Sequence, residues 1–167
     1  MVSKNLNFAA TLRKFKDPVT GRILEMRYML LDDLDQVCLL EEKIFSSPWP
    51  LNAFISELMA TYSHSFIVRD GKVVAAYAVT WFLDEEFHLS NIAVDDAYRR
   101  HGIATWMMTE FLQMCRKTGI NIAHLEVRRS NTSAVKLYRK FGFSVTGVRK
   151  NYYESEHEDA LMMSCKL

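Results

Sequence analysis

The stretch Asn91-Ile92-Ala93-Val94-Asp95-Asp96-Ala97-Tyr98-Arg99-Arg100-His101-Gly102-Ile103-Ala104 has the composition of an anion site. A strand ends, a polar loop with two arginines follows, and Gly102 and Ala104 open a long helix. The exposed N–H groups at a helix start, with the helix dipole behind them, attract negative charge. Residues without bulk at 102 and 104 let a diphosphate reach the backbone. Arg99 and Arg100 are placed to add charge-assisted bonds. The same residues also fit a solvated loop with Gly102 as a plain helix cap, and spacing alone leaves both readings open. Neither GxxxxGK[ST] nor GxGxxG is present, so a Walker loop and a dinucleotide site are unsupported.

Two further positions stand out. Glu126 shares a strand face with Ile122 and His124, opposite Ala123, Leu125 and Val127. A carboxylate at the end of a buried strand is costly unless it is paired, hydrated or functional, and Arg128 is an available partner. Tyr138 follows Asn131 by two helical turns, so both look the same way. As ordinary structure, Asn131 would cap a helix and Tyr138 would fill a core.

The elements that must position these residues follow from periodicity. A strand is expected over 23–30 and an amphipathic helix from Asp32 to Phe45, with Leu34, Val37, Cys38 and Glu41 at helical spacing. Ser46-Ser47-Pro48-Trp49-Pro50 breaks that helix, and a short one follows over 51–60. Apolar runs over 64–69 and 72–83, joined by Asp70-Gly71, form a hairpin. The 87–94 segment alternates, with Phe87, Leu89, Asn91 and Ala93 expected on one face and His88, Ser90, Ile92 and Val94 on the other. A helix over 102–118 buries Ile103, Met107, Phe111 and Cys115 and stops at Gly119. A strand (121–127), a helix (130–141) and two strands (143–150, 160–166) complete the order β-α-α-β-β-β-α-β-α-β-β. The fold class is α/β with α+β mixing: a central, mixed, mostly antiparallel twisted sheet of about seven strands flanked by four helices.

With 167 residues, the chain suits one domain. Lys+Arg 21 against Asp+Glu 20 leaves a net charge of +1. That balance argues against a general nucleic-acid binder and against a polybasic membrane anchor. Cys38, Cys115 and Cys165 have no CxxC spacing, so reduced thiols, a cytoplasmic location and no metal site are expected. The basic segment 1–22, with Lys4, Arg13, Lys14, Lys16 and Arg22 against Asp17, is expected to be a poorly ordered arm, with an organelle transit segment as the alternative. Asp17-Pro18-Val19-Thr20-Gly21 marks its boundary, placing the domain at 23–167.

Arg99-x-x-Gly102-x-Ala104 after a strand resembles the [Q/R]-x-x-G-x-[G/A] pyrophosphate loop of the Gcn5-related N-acetyltransferase (GNAT) superfamily. Ser47-Pro48-Trp49-Pro50, Asn91-Ile92-Ala93-Val94, Leu125-Glu126-Val127-Arg128, Ser130-Asn131, Leu137-Tyr138, Gly142-Phe143, Asn151-Tyr152-Tyr153 and Glu158-Asp159-Ala160 follow in order. Together they resemble the RimI-like ribosomal-protein-alanine and archaeal protein N-terminal acetyltransferases, over about 24–167.

The resemblance implies a GNAT fold and transfer of acetyl from acetyl-CoA to a protein or peptide N-terminal α-amine in a ternary complex. Ribosomal proteins are among the candidate acceptors. It implies that backbone of Ile92, Ala93 and Val94 meets the pantetheine arm and acetyl carbonyl. Arg99 and the run Arg100, His101, Gly102, Ile103, Ala104 and Thr105 would hold the pyrophosphate. It further implies Glu126 as general base, Asn131 as cofactor contact and Tyr138 as proton donor to the leaving thiolate. Trp49, His88, Tyr152 and Tyr153 would meet the acceptor, and His88 equally fits a strand histidine satisfied by hydrogen bonds. The acids Glu154, Glu156, Glu158 and Asp159 would make a rim suited to a cationic chain. No direct nucleic-acid or membrane partner is expected, and the chain is expected to be a monomer or weak homodimer. The rivals are acetylation of a small amine or internal lysine, and a non-catalytic acyl-CoA-binding subunit.

Overall fold

The computed structural model describes residues 13–167. Eight strands form one sheet in the order β1-β2-β3-β4-β5-β6-β8-β7. They are β1 (Arg13–Lys16), β2 (Ile23–Tyr28), β3 (Ser63–Asp70), β4 (Val73–Leu83), β5 (Glu86–Val94), β6 (Ile122–Arg128), β7 (Ser144–Tyr153) and β8 (Glu158–Lys166). Every pairing is antiparallel except β5 with β6. Four helices flank it: α1 (Leu34–Ile44), α2 (Leu51–Met59), α3 (Ile103–Thr118) and α4 (Thr132–Lys140).

Two cores lie on opposite faces of the sheet. On one, Met107, Phe111 and Cys115 of α3 and Val135 and Tyr138 of α4 pack on Phe66, Ala78, Leu89, Leu125 and Val127. On the other, Val37 and Leu40 of α1 and Phe54 of α2 pack on Ile67, Tyr77, Val79 and Ala93. The central strands alternate between the two: Phe66 and Ala78 serve the first, Ile67 and Tyr77 the second. Glycines close the turns that need left-handed backbone. Gly71 (φ 60°) makes the β3–β4 hairpin, and Gly102 (φ 90°) and Gly119 (φ 75°) bound α3.

The structure corrects the reading of the N-terminal segment. Residues 1–12 lie outside the described residues, but Arg13–Lys16 is an edge strand paired with β2 from Arg13↔Met26 to Lys16↔Ile23. Phe15 stacks on Trp106 of α3 at 5.0 Å, and Arg13 pairs with Glu110 at 3.3 Å. The expected arm is therefore part of the sheet from residue 13, and the described residues hold eight strands rather than about seven. Asp17-Pro18-Val19-Thr20-Gly21 is not a domain boundary but the β1–β2 turn. Asp17 accepts from Val19 N–H (2.9 Å) and Thr20 Oγ1 (2.6 Å).

A second correction concerns β5. The β4 register pairs Thr80 with Leu89 but Val79 with Asn91, so Ser90 is an extra, bulged residue. A bulge reverses the alternation beyond it. Phe87 and Leu89 face α3, whereas Ala93 belongs to the α1–α2 core and Ile92 and Val94 pack against the α3 side. Asn91 and Ala93 thus lie on the face opposite to the one expected.

Candidate active site

The parallel ladder between β5 and β6 is short. It runs from Glu86↔Ile122 to Leu89↔Leu125 and ends there, although β5 continues to Val94 and β6 to Arg128. Beyond Leu89, β5 keeps its β4 partners, Asn91↔Val79 to Val94↔Ala76. Among the described residues, the other edge of Ile92, Ala93 and Val94 has no strand partner. Such an edge offers backbone donors and acceptors to an extended ligand.

The loop after β5 turns sharply. Asp95 caps a short 3-10 turn over Asp96–Tyr98, and then Arg100 (φ 64°) and Gly102 (φ 90°) both take left-handed backbone. Residues in this alternation turn successive N–H groups toward one concavity, a favourable place for an anion. The first N–H groups of α3 have no acceptor within the helix, and its sixteen residues align their dipole behind them. A Cβ built at Gly102 would meet only Phe15, at 3.6 Å, so the approach to the backbone is open there. Arg99 is tied to Asp96 (Nε–Oδ1 2.9 Å), while Arg100 is exposed. The His101 side chain turns away to Asp17 (3.0 Å), leaving its backbone to the loop. Burial alone would raise the Asp17 pKa, but bonds from Thr20, Val19 N–H and His101 outweigh it and hold it at about 2. An extended acyl-thioester arm with a diphosphate fits this arrangement of bare strand edge and helix start.

Glu126 sits where β6 has parted from β5, with Leu125 and Val127 buried on the opposite side, as its alternation predicts. Its partner is Arg149 of β7 (Nε–Oε1 3.0 Å), not Arg128, and Tyr152 also hydrogen-bonds it. Tyr138 lies across the sheet in the α3–α4 core, only 4% exposed, with its ring 6.1 Å from Phe143. Burial, reinforced by Tyr153, pushes the Tyr138 hydroxyl well above the usual phenol range. Asn131 caps α4, its side chain accepting from Ala134 N–H at 3.1 Å. The Arg128 guanidinium lies 3.8 Å over the Tyr153 ring, whose pKa burial raises to about 12.

The loops around Glu126 are tied together. Trp49, after α1, packs on Phe54 (5.6 Å) and donates its N–H to Glu41 (2.9 Å). Ser46 and Ser47 reach across to the β7–β8 connection, where Ser46 and Ser47 (3.3 Å) both donate to Glu156. Arg128 pairs with Glu156 (3.3 Å) and Glu158 (3.5 Å), and Arg129 with Asp159 (3.3 Å). The acidic rim is therefore largely neutralised by its own arginines, unlike the open negative patch its composition suggests. His88 hydrogen-bonds Glu86 (3.0 Å), and its ring lies tilted against His124 with centroids 4.9 Å apart.

Hydrogen bonds from Ser155 and Ser46, then Arg128, hold the Glu156 pKa at about 2 against the burial that would raise it. A carboxyl depressed on folding stabilises the native state above its unfolded pKa of ~4.3 and ceases to as pH falls through the folded value. Acidification from about pH 5 to about pH 2 should therefore loosen this inter-loop tie. Denaturant midpoints across that window should fall more steeply in the parent protein than in Glu156→Gln.

Two residues escaped the sequence reading. Glu41 is only 1% exposed and accepts from Trp49 N–H, the Tyr77 hydroxyl and Asn91 Nδ2 (3.4 Å). It links α1, the Trp49 loop, β4 and β5 just where β5 separates from β6. Its signal was a glutamate on the apolar stripe of an amphipathic helix. Arg149 had no local signal, since its pairing with Glu126 spans three strands.

A mixed sheet that parts between its two parallel strands, with a long helix opening after the parted strand, is the architecture of an acyl-CoA-dependent transferase. The Acetyltransferase (GNAT) family model matches residues 33–143, and the chain belongs to that family. It is 34% identical over 134 residues to the ribosomal protein bS18-alanine N-acetyltransferase of Escherichia coli, covering 79% of this chain and 90% of that one. It is also 34% identical over 137 residues to the N-alpha-acetyltransferase RimI of Mycobacterium tuberculosis, covering 78% and 85%. The crystal structure of the ribosomal-protein-S18-alanine N-acetyltransferase from Escherichia coli superposes with a TM-score of 0.79 at 30% identity. That match covers 86% of this chain and 93% of that chain. No helix among the described residues is long and apolar enough to cross a membrane.

Proposed function

We propose that this protein transfers acetyl from acetyl-CoA to the α-amine of a protein N-terminus, with a ribosomal protein as acceptor. The observation that carries the reading is the parting of β5 from β6 after Leu89↔Leu125. It leaves one backbone edge of Ile92, Ala93 and Val94 without a strand partner among the described residues, at the end of β6 that carries Glu126. The curated relatives named above act on a protein N-terminal alanine or α-amine, which supports that acceptor class.

When bound, acetyl-CoA supplies an activated thioester. The backbone of Ile92, Ala93 and Val94 aligns its extended arm. The N–H groups of Arg100 to Thr105, with the Arg100 side chain, hold its diphosphate. Glu126 accepts the proton leaving the attacking amine. The task is modest, because an α-amine with pKa ~7.7–8.0 is already partly neutral, whereas a lysine at ~10.4 is not. Tyr138 returns a proton to the sulfur, and its raised pKa keeps it in the donor form near neutral pH. Asn131 fixes the start of the helix that carries Tyr138 and contacts the arm. Trp49, Tyr152 and Tyr153 line the acceptor side with His88. Action in the cytoplasm suits the three free thiols Cys38, Cys115 and Cys165.

Tyr138→Phe should lower kcat by less than the ~10²-fold typical of a lost general acid. A thiolate of pKa ~8.5 leaves largely unaided near neutral pH. The loss should shrink as pH rises past ~8.5, where the released thiolate needs no proton, which a pH–rate profile reads directly. The substrate class is tested by CoA release with an Ala-initiated peptide and its N-blocked counterpart. Release from the free peptide alone is expected, and equal release from both would overturn the reading.

A further inference from the structure

Composition points away from any metal site, yet the register of β5 and β6 builds a candidate that spacing in the sequence conceals. His88 and His124, far apart in the chain, are direct partners in the parallel ladder. Both look out on the same sheet face, with Glu86 one repeat along β5 beside them. Their rings lie 4.9 Å apart, and both Nε2 atoms point at one carboxylate oxygen: 3.0 Å from His88 and 3.8 Å from His124. All three donor atoms fall within 4.8 Å of one another. Ligands bonded to zinc at ~2.0–2.2 Å in a tetrahedron lie about 3.4 Å apart, so these separations bracket what an ion needs.

We infer that Glu86, His88 and His124 form a three-ligand site for a divalent first-row transition ion such as Zn2+, with water completing the coordination. Two imidazoles and a carboxylate are the donors such ions select. The outer support is already in place. His124 Nδ1 lies 2.8 Å from the Ser164 hydroxyl, an outer partner that holds the ring with Nε2 toward Glu86. An ion here would take the place of the direct contact between His88 Nε2 and Glu86. Side-chain exposures of 51% for Glu86, 31% for His88 and 27% for His124 leave an entry path from solvent. An ion here would clamp β5 to β6 immediately before they part.

The test is titration of the full chain, without an affinity tag, with Zn2+ by calorimetry and with Co2+ by visible absorption, alongside melting curves. One ion per chain is expected, together with a Tm that rises with Zn2+. Binding should be lost in His124→Gln and in Glu86→Gln, which lies at the exposed start of β5 and serves if the histidine variant fails to fold. Ser164→Ala should weaken binding by about 10- to 100-fold, since it removes only the outer partner. No binding by the parent protein, or undiminished one-ion binding in a folded Glu86→Gln variant, would overturn the assignment.

Discussion

Glu126→Gln is expected to lower kcat by about 10²- to 10⁴-fold, the range a positioned general base contributes, and to leave acetyl-CoA binding close to that of the parent protein. The amide keeps the shape of the side chain and can still meet Arg149, but it cannot take a proton from the amine. Folding should tolerate the change. Glu126 and Arg149 have side-chain exposures of 28% and 52%, and ion pairs that open to water contribute only about 0–1 kcal/mol. The two parts of the expectation separate cleanly. Thiol release under saturating acetyl-CoA reads the chemical step, and calorimetry with acetyl-CoA reads the cofactor site. A variant with full kcat would remove Glu126 from the reaction. A variant that lost acetyl-CoA affinity would place it in the cofactor site instead.

Gly102→Val should act in the opposite sense, raising the KM for acetyl-CoA by about 10²-fold or more. Gly102 has φ 90°, where a residue bearing a Cβ pays about 1–2 kcal/mol. Packing is not the obstacle, since the new Cβ would stand 3.6 Å from Phe15, an ordinary contact. The obstacle is the branched side chain over the N–H groups that open α3, which have no acceptor within the helix. Hydrogen bonds to charged groups are worth about 1.5–3 kcal/mol each, so denying two to the diphosphate costs at least ~3 kcal/mol, or about 10²-fold. Gly102→Ala carries the backbone strain with less obstruction, and its KM should fall between those of the parent protein and the valine variant. Equal KM values in all three would show that the α3 start does not hold the cofactor.

Local chemistry explains which parts of this molecule were legible in the sequence. Asp70-Gly71 between apolar runs, the glycines bounding α3 and the strict alternation around Glu126 each depend on neighbours within a few residues, and each is where it was expected. Strand β1 was not legible, because Arg-Lys-Phe-Lys is short and charged, the composition that protects a sheet edge. Its attachments to α3, Phe15 on Trp106 and Arg13 with Glu110, are contacts between distant segments. The Ser90 bulge exists only relative to β4, so no period-two count along β5 alone reveals it. The same holds for Arg149 opposite Glu126 and for His88 opposite His124: both depend on strand register. The candidate site was found residue by residue through motif resemblance, while its electrostatic partners came from pairing across the sheet.

The central claim is that the acceptor is an N-terminal α-amine rather than a side-chain amine. A peptide carrying both a free Ala N-terminus and an internal lysine settles it when incubated with the protein and acetyl-CoA and fragmented by mass spectrometry. The account predicts that the added acetyl resides on the first residue, with the lysine unmodified. Acetyl found on the lysine alone would contradict it.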